Sequence, residues 1–585
     1  MVSLLSSIAL ARRLGFVHVV ATLRHRHRLK TQYYNKRLPI TEPGHITPFW
    51  EETSLNPATP HIALIARGDA LVEQQSITWL KGVYSKRQHL HWSQVAINDI
   101  AGDDVKHSWN TSRLEWVTQL ALAAVHSQNP KYYLSVLHAR TNDWLSQHKY
   151  QAGVLWNCSQ EVAIRGLHLM LSTHLLNATP TPVLLEFLQQ SYLRVQATLP
   201  YAIAQQNNHS FTEMLFLFYA KKFFTKYGIM VKDAPKREQV MTLIKQLIQP
   251  DGSCAMPSLS YHRVFCDIAS LFALLDDYLH VGLWRGGVMR VAVTRMCKFL
   301  ESVIEPLSGR VPNIGLNDGS LHCIQFTPSY DYVPSLLLMS AVFQIPVHER
   351  FNQRVNDVYL FGRSPLFSTL QTLSRFDDFG LMIVDKPAYR AYLKYPRNRF
   401  RPMQQDFLHL DLWVNGVNVL HDSGTVSYNP SSRDDYDEGV AHNAPSLLDK
   451  PFITKRSAFL YYFWPNAEVK IQNEEVIARV SNAEDITLIR HIIFGTRTIT
   501  IEDKVEGAQQ WGSTFNFPGE MTADTFREGS WHLAPNVTLM TPDNSTQKIS
   551  SPGFAPCYDV RATSCRILVT SESSHHSLMC DIIIG

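Results

Sequence analysis

Three polar residues in a row, Asn207-Asn208-His209, stand directly ahead of the apolar run "SFTEMLFLFYAKKFF". Two kinds of chemistry suit them. An asparagine at a helix start accepts from the orphan backbone N–H groups and caps the helix. The same helix start carries partial positive charge and attracts an anion, which a carboxamide N–H beside it would help to neutralise. His209 and Glu213 are four residues apart and so share one helical face. A second set, Tyr261-His262-Arg263, opens another apolar helical run after the turn Asp251-Gly252. A phenol has an ordinary pKa of about 10, so Tyr261 works as acid or base only beside a cation or a polar partner. Arg263, or a neutral His262, would supply one. An amphipathic tyrosine at a helix start is the plainer reading of the same residues.

Further polar sets lie on either side. In "GVLWNCSQEVAIRGL", Glu161 and Arg165 have the spacing of a helix-stabilising ion pair, and Trp156 either stacks on a sugar ring or fills the core. The loop "VPNIGLNDGSLH" (311–322) lacks the glycine spacing of a phosphate loop, which argues against nucleotide binding and for a structured turn. In "RNRFRPMQQDFLHLDLWVNGVNVLHDSG", Gln404 and Asp406 share one strand face and His409 and Asp411 the other, with Asp422 and His442 following. Two or three of these would suffice to hold a cation, and imidazole with carboxylate suits zinc.

The elements that must position these residues follow from periodicity. A chain of 585 residues is too long for one core, and two or three domains are expected. With 45% hydrophobic and 18% charged residues the composition is that of a globular protein, not a disordered one. A net charge of +4 without a basic stripe gives no support for nucleic-acid binding. From about residue 70 to 360, apolar residues recur at three and four, which predicts at least seven helices joined by short turns and hence stacked antiparallel hairpins. Beyond about 365 the period becomes two, which predicts antiparallel strands and a sandwich. Asn415-Gly416 marks a hairpin there. The expected plan is a basic N-terminal arm (1–45), an α-helical domain (46–365) and a β-domain (366–585), with the site in the cleft between the last two.

The eight cysteines form no CxxC pair and are expected to be free and mostly buried. The start, "MVSLLSSIALARRLGF", has no basic residue ahead of its apolar run, so a basic amphipathic arm is expected rather than a signal peptide. No apolar run reaches the length of a membrane span. Nothing in the residues points to an oligomeric state or a compartment.

Taken together and in order, "WNCSQEVAIR", "NNHSFTE", "DGS…SYHR", "PNIGLNDGS", "DFLHLDLWVNGVNVLHDSGTVSYN" and "HNAP" resemble the heparinase II/III-like polysaccharide lyases, over most of the chain from about Trp109 onward. It looks most like the members associated with bacterial surface-polysaccharide loci. The resemblance implies an (α/α) toroid followed by an antiparallel β-sandwich. It also implies β-elimination at a uronic acid: the proton at C5 is removed, the 4-O-linked sugar leaves, and the product is unsaturated. On that pattern Asn208 neutralises the carboxylate, Tyr261 is the acid and in a syn elimination also the base, and His209 is a second base or orients the substrate. Asn207, Trp156, Glu161, Arg165, Glu213, His262, Arg263 and Arg401 are the expected substrate contacts. Lyases of this kind carry an HxHxD pattern in the β-domain, with one histidine catalytic and the next a zinc ligand. Here the two positions read Pro402 and Gln404, with Asp406 retained. The implied zinc set is therefore Gln404, Asp422 and His442, and the implied partner is an acidic polysaccharide. A worn lyase scaffold that binds glycan without cutting it is the alternative, and a hydrolase using Asp377, Asp378, Asp406 or Asp411 a third.

Overall fold

Among the described residues every α-helix ends by Phe343 and every strand begins at Pro346 or later. The computed structural model describes residues 4–51, 55, 58–74, 77–80, 83–96, 104–370, 372–427, 439–457, 460–519, 526–527, 530–543, 545–557, 559–571 and 577–585. In the helical part, buried helices alternate with amphipathic ones. Glu115–His126, Ser159–Leu175, Asn208–Lys226 and Leu259–Tyr278 are each followed by a partner: Pro130–Gln147, Pro182–Gln205, Arg237–Leu247 and Gly287–Val303. The first member of each hairpin is sealed by its neighbours. In Leu259–Tyr278 every residue from Leu259 to Asp276 is buried. The second member buries one stripe, as Val240, Leu243, Ile244 and Leu247 do in Arg237–Leu247. Val333–Phe343, buried throughout, adds a further inner helix. The result is a toroid of helical hairpins. Neighbouring inner helices pack closely: a Cβ on Gly166 would meet the Phe216 ring at 2.2 Å.

The β-part contains an eight-stranded sheet and two five-stranded sheets, with antiparallel pairing throughout these three. Residues from all three, among them Leu412, Ile492, Ile501, Phe515 and Ile567, form one core, so the sheets pack as a sandwich. Asn415 and Gly416 both have positive φ (50° and 77°) and join the strands Leu410–Val414 and Val417–Leu420, as the hairpin signal predicts.

The N-terminal helices Leu4–Leu14 and Phe16–Lys30 touch both parts. Leu10 is buried in the β-core, Arg13 donates to the Asn398 carbonyl at 3.0 Å, and His25 stacks on Tyr201 at 4.0 Å. None of the eight cysteines is in a disulfide, and six of them are buried. No helix among the described residues is long and apolar enough to cross a membrane.

Candidate active site

The polar triplet divides its tasks. Asn207 is the cap: its Oδ1 accepts the His209 N–H at 3.1 Å, and its own N–H donates to Ser210 Oγ at 3.2 Å. Asn208, released from capping, opens the helix Asn208–Lys226 and donates through Nδ2 to Gln160 Oε1 at 2.9 Å. Gln160 in turn donates to Thr212 Oγ1 at 3.3 Å, so it holds the Asn208 carboxamide from the neighbouring helix. An amide nitrogen has two hydrogens, and Gln160 takes one of them. Tyr261 sits in the first turn of Leu259–Tyr278, where Ser258 Oγ accepts the Tyr261 N–H at 3.2 Å. The two helices are adjacent: the Phe211 and Phe265 rings lie 4.8 Å apart. Asn208 is three residues before Phe211 and Tyr261 four before Phe265, so both stand one turn above this contact, at the same end of adjacent helices. Each is only 6% exposed. His209 is the accessible member of the group, 3.5 Å from the fully buried carboxylate of Glu213, which also accepts from Ser159 Oγ at 2.7 Å.

The other expected substrate contacts are placed differently. Trp156 is fully buried in the core and presents no face to a groove. Glu161 does not pair with Arg165. It binds Arg113 instead, through two bonds of 2.6 and 2.8 Å. Burial alone would raise the Glu161 carboxyl, but the Arg113 guanidinium holds it at about 2. Arg165 is fully buried, donates to the Ser112 and Leu155 carbonyls at 2.7 and 2.8 Å, and is pushed down to about 9 by burial. His262 points into the core, with Nε2 against the Met296 carbonyl at 3.1 Å, and burial lowers it to about 4. Arg401 donates to the Gln205 carbonyl at 2.9 Å and, with Leu14, Phe400 and Met403, packs over the turn that precedes Asn207.

Arg263 leads to a feature that sequence reasoning missed. Its guanidinium donates to the Ser329 and Ser320 carbonyls and stacks on Tyr332 at 4.1 Å, and its Nε is buried without a partner. It lines a polar cavity of about 160 Å³ shared by the two parts of the chain, together with Arg310, Asn313, Asn317, Pro556 and Cys557. Among the described residues no carboxylate forms an ion pair with Arg263 or Arg310. At the rim, His107 and Asp559 meet across the two parts at 2.8 Å. Asp318, also in the lining, is already held by Lys106 at 2.7 Å. The loop 311–320 beneath the cavity is a structured turn, as expected, and carries contacts in both directions. Ser258 Oγ donates to the Leu316 carbonyl at 2.5 Å, and the Asn317 N–H donates to Thr425 Oγ1 at 3.2 Å.

In the β-part, Asp422 and His442 come together, with Oδ2 and Nδ1 2.6 Å apart. Burial would raise the Asp422 carboxyl, but His442, His409 and the Gly424 N–H hold it below the usual range. Gln404 is fully buried, and neither amide atom reaches a hydrogen-bond partner among the described residues. His409 takes the third corner, with Nε2 3.6 Å from Asp411 and 4.0 Å from Asp422. Its Nδ1 accepts the Asn443 N–H at 2.9 Å. A backbone N–H can only donate, so the neutral ring keeps its proton on Nε2 and offers no lone pair to an ion. His409, Asp422 and His442 thus place one ligand-type atom each within 4.8 Å of the others, with His409 held in the tautomer whose Nε2 carries the proton. Of the carboxylates of the hydrolase reading, Asp377 pairs with Arg375, Asp378 accepts the Asp251 N–H, and Asp411 accepts from Trp413.

No family model matches the chain, and no curated protein matches it in sequence. Its fold is similar to that of solved lyases. Heparinase III aligns with a TM-score of 0.58 at 15% identity, over 96% of this chain and 89% of that one. The heparan sulfate lyase HepC from Pedobacter heparinus aligns with a TM-score of 0.51 at 16% identity, over 96% and 88%. At these identities the similarity is one of fold: a helical toroid followed by a β-sandwich.

Proposed function

We propose that the protein is a polysaccharide lyase that cleaves a uronate-containing polymer by β-elimination. The observation that carries the reading is the placement of Asn208 and Tyr261 at the same end of adjacent inner helices. The C5 proton of a uronate becomes acidic only if charge developing on its carboxylate is stabilised. The second Asn208 amide hydrogen, with Gln160 fixing the first, is suited to that task. Tyr261, ionised, would take the C5 proton in a syn elimination and pass it to the leaving 4-oxygen. His209, the part-exposed imidazole beside Glu213, is the second base or a substrate contact. Two arginines without carboxylate partners among the described residues, around an inter-part cavity, support an anionic substrate. The fold similarity to a heparinase and a heparan sulfate lyase supports the same class. Pro402 leaves no imidazole at the β-domain catalytic position, so every proton transfer falls to the helical side.

A specific observation favours a second reading. Pro402 and Gln404 replace both β-domain histidines, as expected of a scaffold that binds glycan without cutting it. Ultraviolet absorbance of the unsaturated uronate, followed over a panel of acidic polysaccharides, separates the two. Absorbance that grows with time supports the lyase. Measurable binding without absorbance, over the whole panel, overturns it in favour of the binding protein. Product without absorbance would mean hydrolysis.

A further inference from the structure

A second cluster of ligand-type side chains lies in the helical part, apart from the β-domain histidines. Glu115 opens one inner helix, His168 is in the middle of the next, and His322 follows the loop 311–320. Ligand atoms of the three lie within 4.8 Å of one another. Glu115 Oε1 is 2.8 Å from His322 Nδ1 and 4.0 Å from His168 Nε2. Both imidazoles are at least nine-tenths buried (1% and 2% exposed), and the Nε2 atom of each is buried without a hydrogen-bond partner.

His168 is free to change tautomer in the way that His409 is not, whereas His322 Nδ1 donates to Glu115 Oε1 at 2.8 Å, a proton that an ion must displace. His168 Nδ1 meets the Thr118 hydroxyl at 2.9 Å, and Thr118 continues to Ser172 Oγ at 3.2 Å. A hydroxyl can accept as well as donate, so Nδ1–H can give to Thr118 and leave the Nε2 lone pair facing Glu115. A lone pair and a carboxylate oxygen repel unless a cation sits between them. The neighbouring cations are spent: Arg113 is bound to Glu161 and Lys106 to Asp318. Among the described residues Glu115 has no lysine or arginine ion pair. Its side chain is 27% exposed, which opens an entry path and a position for water.

We propose that Glu115, His168 and His322 bind one divalent ion of the zinc type. Two imidazoles, one carboxylate and an open fourth position are a common zinc set, in which ligand atoms stand about 3.4 Å apart. The separations of 2.8 and 4.0 Å bracket that spacing. The ion would tie two inner helices to the segment that holds the cap of the Tyr261 helix and the Asn317–Thr425 contact, and so would stiffen the join between the two parts.

The test uses the full chain, dialysed against zinc and desalted, with metal per chain measured by inductively coupled plasma mass spectrometry. The expected result is one zinc per chain in the wild type, near none in His168→Asn or Glu115→Gln, and no change in His442→Asn. Circular dichroism checks each fold, and the wild-type thermal midpoint should fall on chelation while those of the two helical variants do not. A wild type that retains no zinc overturns the proposal. So does zinc retained in both helical variants, or zinc lost in His442→Asn and kept in His168→Asn.

Discussion

Replacing Glu161 with glutamine removes one charge from a sealed, bidentate ion pair and leaves Arg113 without its partner. The Glu161 carboxyl lies at about 2, against an ordinary 4.5. At about 1.4 kcal/mol per pH unit, that gap corresponds to about 3 kcal/mol of folding stability, an order-of-magnitude figure. Breaking a buried pair by deleting one member costs about 3–5 kcal/mol, in agreement. The sign is fixed by the direction of the perturbation. A carboxyl held down in the folded state contributes fully above its unfolded pKa, and the contribution is lost as pH falls from about 4.5 toward about 2. Wild type and Glu161→Gln should therefore differ by about 3 kcal/mol at pH 7 and converge as the solution is made acid. Urea unfolding followed by tryptophan fluorescence reads this out, because eight of the twelve tryptophans precede residue 345 and report on the helical part. A difference below about 0.5 kcal/mol at pH 7, or one that stays constant to pH 3, would refute the claim that this charge pair supports the toroid end.

Three further outcomes are expected. Gln160→Ala removes one neutral hydrogen bond from Asn208 and should slow elimination by roughly 2- to 10-fold, measured as initial rate; a loss as large as that of Asn208→Ala would make Gln160 more than a positioning residue. Gly315→Ala places a Cβ 2.1 Å from the Pro257 carbonyl at a positive φ of 73°, and should lower stability by more than about 1 kcal/mol by thermal unfolding while also weakening the rate. Asp503→Asn breaks the buried Arg490–Asp503 pair, with bonds of 2.7 and 2.6 Å, and should destabilise the β-part by about 3 kcal/mol or more in a circular dichroism melt.

The helical hairpins and the sandwich were legible because they rest on local rules, while the closing of the hairpins into a toroid was implied by the family resemblance. A period of three to four gave the helices, a period of two the strands, and Asn415-Gly416 the turn, since only residues that tolerate positive φ make it. The helix starts at Asn208 and near Tyr261 were legible for the same reason. Partnerships across the fold were not. Glu161 had a partner of ideal spacing in Arg165, yet it reaches 48 residues back to Arg113, because Arg165 is drawn to backbone carbonyls in the core. Gln160, one residue before Glu161, carried no signal of its own, since its role depends on a helix some 50 residues on. The β-domain cluster shows the same limit: matching by motif position did not find His409, which the strand geometry brings within 4.0 Å of Asp422. Glu115, His168 and His322 are too scattered for any spacing rule.

The most direct test of the central claim compares wild type with Asn208→Ala and Tyr261→Phe, on whichever acidic polymer yields the unsaturated product. Loss of one charge-stabilising donor costs about 10²- to 10³-fold, and loss of the acid at least about 10²-fold. The account predicts both losses in turnover with substrate affinity nearly unchanged. Either variant turning over at close to the wild-type rate would contradict it.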